Sequence, residues 1–187
     1  MTLFNRERFN QDWAIGKAGE DAFAKQCRMW DMEILFQAPD NMPFADFDFK
    51  IQYRATYERE RYPREEISGI TPQMWEVKMD MGRTGNIPVQ FYSSSKKSSG
   101  TYLPGSDLPC NAGIYRTKAS LFTIFNPHDE IFYIAPVHLL REYLEKSPET
   151  RKTLANRNKV EQTGIALIPK KVWTNRFYYL PYTAGDT

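Results

Sequence analysis

Cysteine and histidine are scarce in this chain of 187 residues, with two of each: Cys27, Cys110, His128 and His138. Two cysteines do not make a zinc site alone, and neither histidine stands at a zinc-like spacing from them. Long apolar runs are missing as well. No stretch approaches the roughly 18 residues that a membrane span requires, and Met1 to Asn10 is polar and mixed in charge, unlike a secretory leader. These absences lead to the expectation of a soluble protein with free thiols in a reducing, cytoplasmic compartment, away from any membrane. Strong net charge is also lacking, at +2 overall.

What is present suits one folded domain spanning residues 1–187. Hydrophobic residues make up 41% of the chain and aromatics 14%, enough to build a core without disulfides or structural metals. The charge is unevenly placed. Residues 1–90 hold 12 Lys/Arg against 15 Asp/Glu, and residues 91–187 hold 13 against 8. Ordinary scatter of surface charge accounts for this; an acidic metal site facing a basic phosphate-binding surface accounts for it too.

Hydrophobic periodicity predicts a helix over Asp12 to Trp30, with Asp12 as its cap, and a short strand over Glu33 to Ala38. Phe44 to Tyr53 alternates cleanly, sending Phe47, Phe49, Ile51 and Tyr53 one way and Asp46, Asp48 and Lys50 the other. Residues 54–70 are dense in charge and read as an exposed excursion. Strands follow at Trp75 to Met79 and Ile87 to Tyr92, then a long Ser/Gly/Pro-rich loop over 93–113. Leu121 to Phe125 and Ile131 to Ala135 bracket a turn, and Pro136 opens a helix with Val137, Leu140 and Leu144 on one face. Residues 149–162 are polar and basic, and Gly164 to Ile168 and Val172 to Leu180 read as late strands. The pattern is that of an α/β domain built on a mixed β-sheet flanked by helices. Trp75 and Trp173 are expected in the core.

One stretch carries chemistry. In Glu76-Val77-Lys78, the period of two places a carboxylate and an ammonium side by side on one strand face, while Val77 anchors the other face and offers a carbonyl. Phosphodiester hydrolysis needs a cation to neutralise developing charge, an activated water and a positive group to orient or stabilise. Asp46 or Asp48 on a neighbouring strand supplies the second carboxylate.

The pair alone is common on solvated strands; the order of elements is more specific. Gly16-Lys17-Ala18-Gly19-Glu20-Asp21 in the first helix, Asp46-Phe47-Asp48-Phe49 on a strand, and Trp75-Glu76-Val77-Lys78 on the next resemble the PD-(D/E)XK, or restriction-endonuclease-like, nuclease superfamily. Asp80 to Gln90 (DMGRTGNIPVQ), Ser98-Ser99-Gly100 and Thr117-Lys118-Ala119 fit phage and bacterial members. The likeness runs over about residues 14–135, within a domain core of about 12–145 that carries an insertion at 54–70 and a basic C-terminal extension.

The resemblance implies a magnesium-dependent DNA endonuclease, with manganese as the alternative ion. Asp48 and Glu76 would be metal ligands with the Val77 carbonyl, Glu20 would touch the metal site from the first helix, and Lys78 would be the catalytic lysine. Asp46 is the fallback for Asp48. Gln90 and Lys118 would contact nucleic acid. Apart from the resemblance, Lys96 and Lys97 stand in a Ser/Gly-rich loop that either grips phosphates or is simply solvated, and Arg151, Lys152, Arg157 and Lys159 either track a DNA backbone or form a solvated helix face. Relatives often carry Glu where Gln90 stands, and Gln is a poorer magnesium ligand. A homodimer acting on DNA is expected, since cutting two strands invites two sites. A phage-encoded enzyme would work in the bacterial host cytoplasm. A catalytically silent nucleic-acid-binding protein on the same fold is the alternative.

Overall fold

The computed structural model describes residues 6–39, 46–53, 72–94, 100, 102–104, 109–155 and 162–183. The anticipated insertion at 54–70, the loop lysines Lys96 and Lys97, and Arg157 and Lys159 lie outside the described residues.

Helix α1 (Arg6–Met29) leads into β1 (Met32–Gln37), β2 (Phe49–Tyr53), β3 (Gln73–Met79) and β4 (Asn86–Ser93). A 3-10 turn at Gly113–Tyr115 precedes β5 (Leu121–Asn126), β6 (Ile131–Pro136) and helix α2 (Val137–Lys146). The chain ends in β7 (Arg151–Ala155), β8 (Gln162–Pro169), helix α3 (Lys170–Arg176) and β9 (Tyr178–Pro181). Six strands form one mixed sheet in the order β1-β2-β3-β5-β6-β9, and three form a second sheet in the order β4-β8-β7. The fold is thus mixed α/β, with a six-stranded mixed sheet flanked by helices. Strands β3 and β5 run parallel, and their neighbours in the large sheet are antiparallel. A parallel pair needs a crossover between its strands. Here the crossover contains β4 and the 3-10 turn, so the second sheet is laid against one face of the first.

Alternation assigns the two faces. Leu121, Phe125, Phe132 and Ile134 join Phe23 and Cys27 of α1 in one buried cluster. Phe122, Ile124, Tyr133 and Ala135 point the other way, into a cluster with β4, β8, α2 and α3. The α1 side is dominated by aromatic edges, with Phe23 at 5.3 Å from Phe49 and 5.1 Å from Trp75. Such burial, at roughly 1.5–3 kcal/mol per large side chain, drives the layering. Trp75 and Trp173 are both fully buried.

Four local expectations change. The first helix starts at Arg6, so Asp12 lies inside it rather than at its N-terminus. Trp13 and Ile15, periodic with the buried residues, stay exposed at 47% and 38%, because the buried face of α1 starts further along, at Gly19 and Phe23. The segment read as a strand over Val172 to Leu180 splits into α3 and β9; the Trp173 indole N–H donates to the Tyr178 carbonyl (3.2 Å) across the break. The region read as a basic extension supplies strands to both sheets. Within it, Arg151 is committed to structure, donating to the Leu144 carbonyl at 2.6 Å and 3.1 Å beyond the end of α2. No helix among the described residues is long and apolar enough to cross a membrane.

Candidate active site

Trp75 and Val77 of β3 enter the α1-side cluster. Glu76 and Lys78 therefore face the opposite side, in register with Phe122 and Ile124 of β5. Phe49 and Ile51 of β2 also enter the α1-side cluster, so Asp48 and Lys50 share the face of Glu76 and Lys78. Glu76 sits at the margin of the second core and is only 9% exposed.

Asp48 is held by its backbone and its side chain. Its N–H donates to the Trp75 carbonyl (2.9 Å), and its carbonyl accepts from Ala38 N–H (2.8 Å). The β2–β3 ladder runs out at Phe49, and beyond it the Asp48 Oδ2 accepts the Val77 N–H at 2.6 Å. A carboxylate here replaces a missing strand partner. The Lys78 Nζ lies 2.5 Å from Glu76 Oε1 and 3.8 Å from Asp48 Oδ2. The second Glu76 oxygen, Oε2, accepts from Thr117 Oγ1–H at 3.0 Å.

Electrostatics follow from this crowding. Burial raises the Glu76 carboxyl above its ordinary value; Lys78 opposes the shift, Asp48 adds to it, and Thr117 opposes it. For Lys78, desolvation at the ammonium end works downward, although 47% of the side chain is open to solvent. Glu76, Asp48 and then Glu20 outweigh it, and the net shift is upward.

Among the residues singled out from sequence, the structure brings Asp48, Glu76 and Lys78 together. Glu20 sits on α1, beside Gly19, where an added Cβ would lie 3.0 Å from the Met79 Cβ. That close helix–strand approach brings its charge within reach of Lys78, as the smallest of the three acidic influences. Asp46 is turned away: its Oδ2 pairs with Lys118 Nζ at 2.7 Å on the surface. Lys118, expected at nucleic acid, is thus engaged with Asp46. Val77 is buried at 3% and donates its N–H to Asp48. Gln90 is exposed on β4 and its amide donates weakly to the Tyr92 carbonyl (3.5 Å). Gln90 and the site residues therefore belong to different sheets.

Two residues given no role from sequence shape the site. Thr117 is buried, and its one hydroxyl proton is shared between Glu76 Oε2 and the Asp46 carbonyl (3.1 Å). Arg141 of α2 grips the loop that carries it, donating to the Ile114 carbonyl (2.8 Å) and the Thr117 carbonyl (3.0 Å), with its guanidinium 5.6 Å from the centre of the Tyr115 ring. Spacing in sequence does not reveal either link, since Thr117 stands 41 residues from Glu76.

Among the described residues, no group of three or more His, Cys, Asp or Glu side chains is arranged to hold a metal ion. The donor set at the site is two carboxylates, Asp48 and Glu76. Magnesium is commonly held by one or two protein carboxylates together with water and substrate phosphate, so the set fits that ion.

No protein-family model matches the chain, and no curated protein matches it. Among solved structures, a bacterial homing endonuclease is similar, with a TM-score of 0.43 and 14% identity over 70% of this chain and 72% of that one.

Proposed function

We propose that this protein is a metal-dependent DNA endonuclease of the PD-(D/E)XK class that hydrolyses phosphodiester bonds. The observation that supports this is the convergence of Asp48, Glu76 and Lys78 on one sheet face, with the ammonium between the two carboxylates. In this reading Asp48 and Glu76 would hold magnesium, or manganese, with the Val77 carbonyl as a further oxygen donor. The bound ion would neutralise charge developing on the phosphate.

The residues themselves do the rest. Lys78, paired with Glu76 and Asp48, acts as a hydrogen-bond donor and positive charge rather than a base. It orients the attacking water or a phosphate oxygen and stabilises the transition state. Water adds to phosphorus as the bond to the departing deoxyribose oxygen breaks; the proton that the water loses passes to bulk solvent, and the departing oxygen takes one from solvent. The Asp48–Val77 and Thr117–Glu76 hydrogen bonds hold both carboxylates in place before substrate arrives. Glu20 adds negative potential from α1. Lys118, Gln90, Lys96 and Lys97 remain DNA contacts in this proposal, with Lys118 leaving Asp46 to reach phosphate. The substrate is DNA, with structure-directed cutting as by a resolvase, and the enzyme works as a homodimer in the cytoplasm of a bacterial host, phage-encoded.

The test is cleavage of supercoiled plasmid with magnesium by wild type and Lys78→Met. Loss of roughly 10²–10³-fold in rate, the scale for removing one transition-state donor, with unchanged far-UV circular dichroism, supports the reading. Equal cutting by both proteins overturns it.

A second reading has one observation in its favour. Lys78 already offsets one of the two carboxylate charges of Glu76 and Asp48 without any ion, which suits a catalytically silent nucleic-acid-binding protein. That protein would bind DNA equally well with magnesium and with EDTA, and would cut nothing.

A further inference from the structure

A bulge in β1 redirects an aromatic ring toward the site face. Ile34 lies opposite Ile51, whose side chain enters the α1-side cluster. Strict alternation would send Leu35 to the site face and return Phe36 to the α1 side. The register shifts between Ile34 and Phe36, so Phe36 instead lies opposite Lys50. Residues directly opposite on antiparallel strands share a face, which places Phe36 beside Lys50 on the side of Asp48, Glu76 and Lys78. Bulges of this kind re-aim side chains and concentrate near active sites.

The same bend that aims Asp48 also supplies a partner ring. Phe47 meets Phe36 edge-on, at 5.7 Å between centroids and 68° between planes. Phe36 nevertheless keeps 41% of its surface exposed, and Lys50 is exposed beside it. The bulge thus leaves a large apolar ring, packed on Phe47 along one edge, open to solvent next to a cation. Strand β1 lies two strands from β3, and Phe36 and Lys50 stand in the row of Met74, two residues short of Glu76. Strand spacing and rise put Phe36 about 12 Å from the Glu76 position and about 17 Å from that of Lys78, within reach of a DNA strand a few nucleotides from a cut made there.

We infer that Phe36, propped by Phe47, is a stacking platform for an unpaired nucleobase a few nucleotides from the scissile phosphate, and that Lys50 holds the phosphate of that nucleotide. The substrate class is DNA with a single-stranded segment, such as a flap, fork or frayed end. A paired base presents only its edge and leaves no face for the ring, whereas an unpaired base offers its whole π-face. The inference rests on the nuclease reading for the position of the cut phosphate.

The experiment measures binding without cleavage, by fluorescence anisotropy in EDTA. Wild type, Phe36→Ala, Phe36→Tyr and Lys50→Ala are titrated with labelled oligo(dT) and with a blunt duplex of equal length. A 2-aminopurine-labelled single strand reports stacking directly. Phe36→Ala should weaken oligo(dT) binding about tenfold, the scale of one base–aromatic stack, change duplex binding less than twofold, and abolish the 2-aminopurine quench. Phe36→Tyr should retain all three, which separates stacking from a folding defect. Lys50→Ala should lower the salt dependence of oligo(dT) binding. Equal loss on both DNAs, no loss on either, or no single-strand binding by wild type overturns the inference. So does a dimer-to-monomer change in Phe36→Ala by sedimentation, which would assign the ring to a second copy of the chain. Plasmid cleavage by wild type distinguishes the two failures. Cutting with no Phe36 effect leaves the nuclease reading standing alone; a Phe36 effect without any cutting removes that reading and keeps the platform.

Discussion

The Thr117 hydroxyl sits 3.0 Å from Glu76 Oε2, a contact by which the loop before β5 reaches the carboxylate face of β3. The Thr117 Oγ1 in turn accepts the Ala119 N–H (3.1 Å), so Thr117 is fixed in direction as well as position. A buried, partly desolvated carboxylate that lost this donor would ionise less readily.

Thr117→Val is therefore expected to raise the Glu76 pKa further and to move the acid limb of the pH–rate profile for DNA cleavage upward. Thr117→Ser should restore the wild-type limb. The valine variant should also lose about 1–3 kcal/mol of stability, the usual scale for a buried group left without its partner. A pH profile of cleavage for the three proteins checks the first effect, and urea unfolding checks the second.

Glu76→Gln tests burial of charge. The folded-state carboxyl is shifted above its ordinary value, chiefly by burial. Between the ordinary and raised values the folded protein binds more protons than the unfolded chain, so stability falls as pH rises through that window. Above it, ionised Glu76 costs stability that a neutral amide in its place would not. Wild type should gain thermal stability on moving from neutral toward mildly acidic pH. Glu76→Gln should show less of this gain, and it should not cut DNA. Melting temperatures measured across that range decide the matter; parallel pH curves for the two proteins would contradict it.

Asp48→Asn and Asp46→Asn should differ sharply. Asp48 lies 3.8 Å from Lys78 and accepts the Val77 amide. Asp46 forms a surface pair with Lys118, both side chains more than half exposed. Exposed pairs contribute roughly 0–1 kcal/mol. Asp46→Asn is expected to melt and cut like wild type, while Asp48→Asn should lose cleavage and any magnesium-induced rise in melting temperature. Thermal shift with and without magnesium, beside a plasmid assay, separates them.

Gly113→Ala probes the scaffold at a distance. Gly113 has φ near +51°, and a Cβ there would stand 2.1 Å from the Gln90 carbonyl oxygen. Both the backbone conformation and the close approach demand glycine. The substitution should cost about 1–3 kcal/mol, as overpacking usually does. It should also weaken cleavage by shifting the turn that leads to Thr117. Urea unfolding and a single-turnover cleavage rate report the two effects.

Much of the sheet was legible because strand periodicity is local. The alternation in Trp75 to Met79 follows from covalent geometry, so the chain alone places Glu76 and Lys78 on one face and Trp75 and Val77 on the other. The hairpin of β5 and β6 and the Pro136 start of α2 are equally local, being written in turn and cap residues. Strand β7 was not legible, since Arg151 to Ala155 has no apolar alternation and is ordered by pairing with β8. Helix α3 was misread for the same kind of reason: its one fully buried apolar residue, Trp173, shows no period.

The choice between Asp46 and Asp48 belongs to the tertiary structure. In an uninterrupted strand the two side chains would share a face. The chain bends before Phe49, and the pull of Lys118 on one carboxylate and of the Val77 amide on the other sends them apart. Thr117 and Arg141 joined the site only through contacts across the crossover, where sequence distance conveys nothing about proximity. The bulge that aims Phe36 is likewise a property of paired strands, because register exists only once β1 has found β2. The chemical groups and their local faces were thus set by the chain; their partners, their burial and their protonation were set by what packed around them.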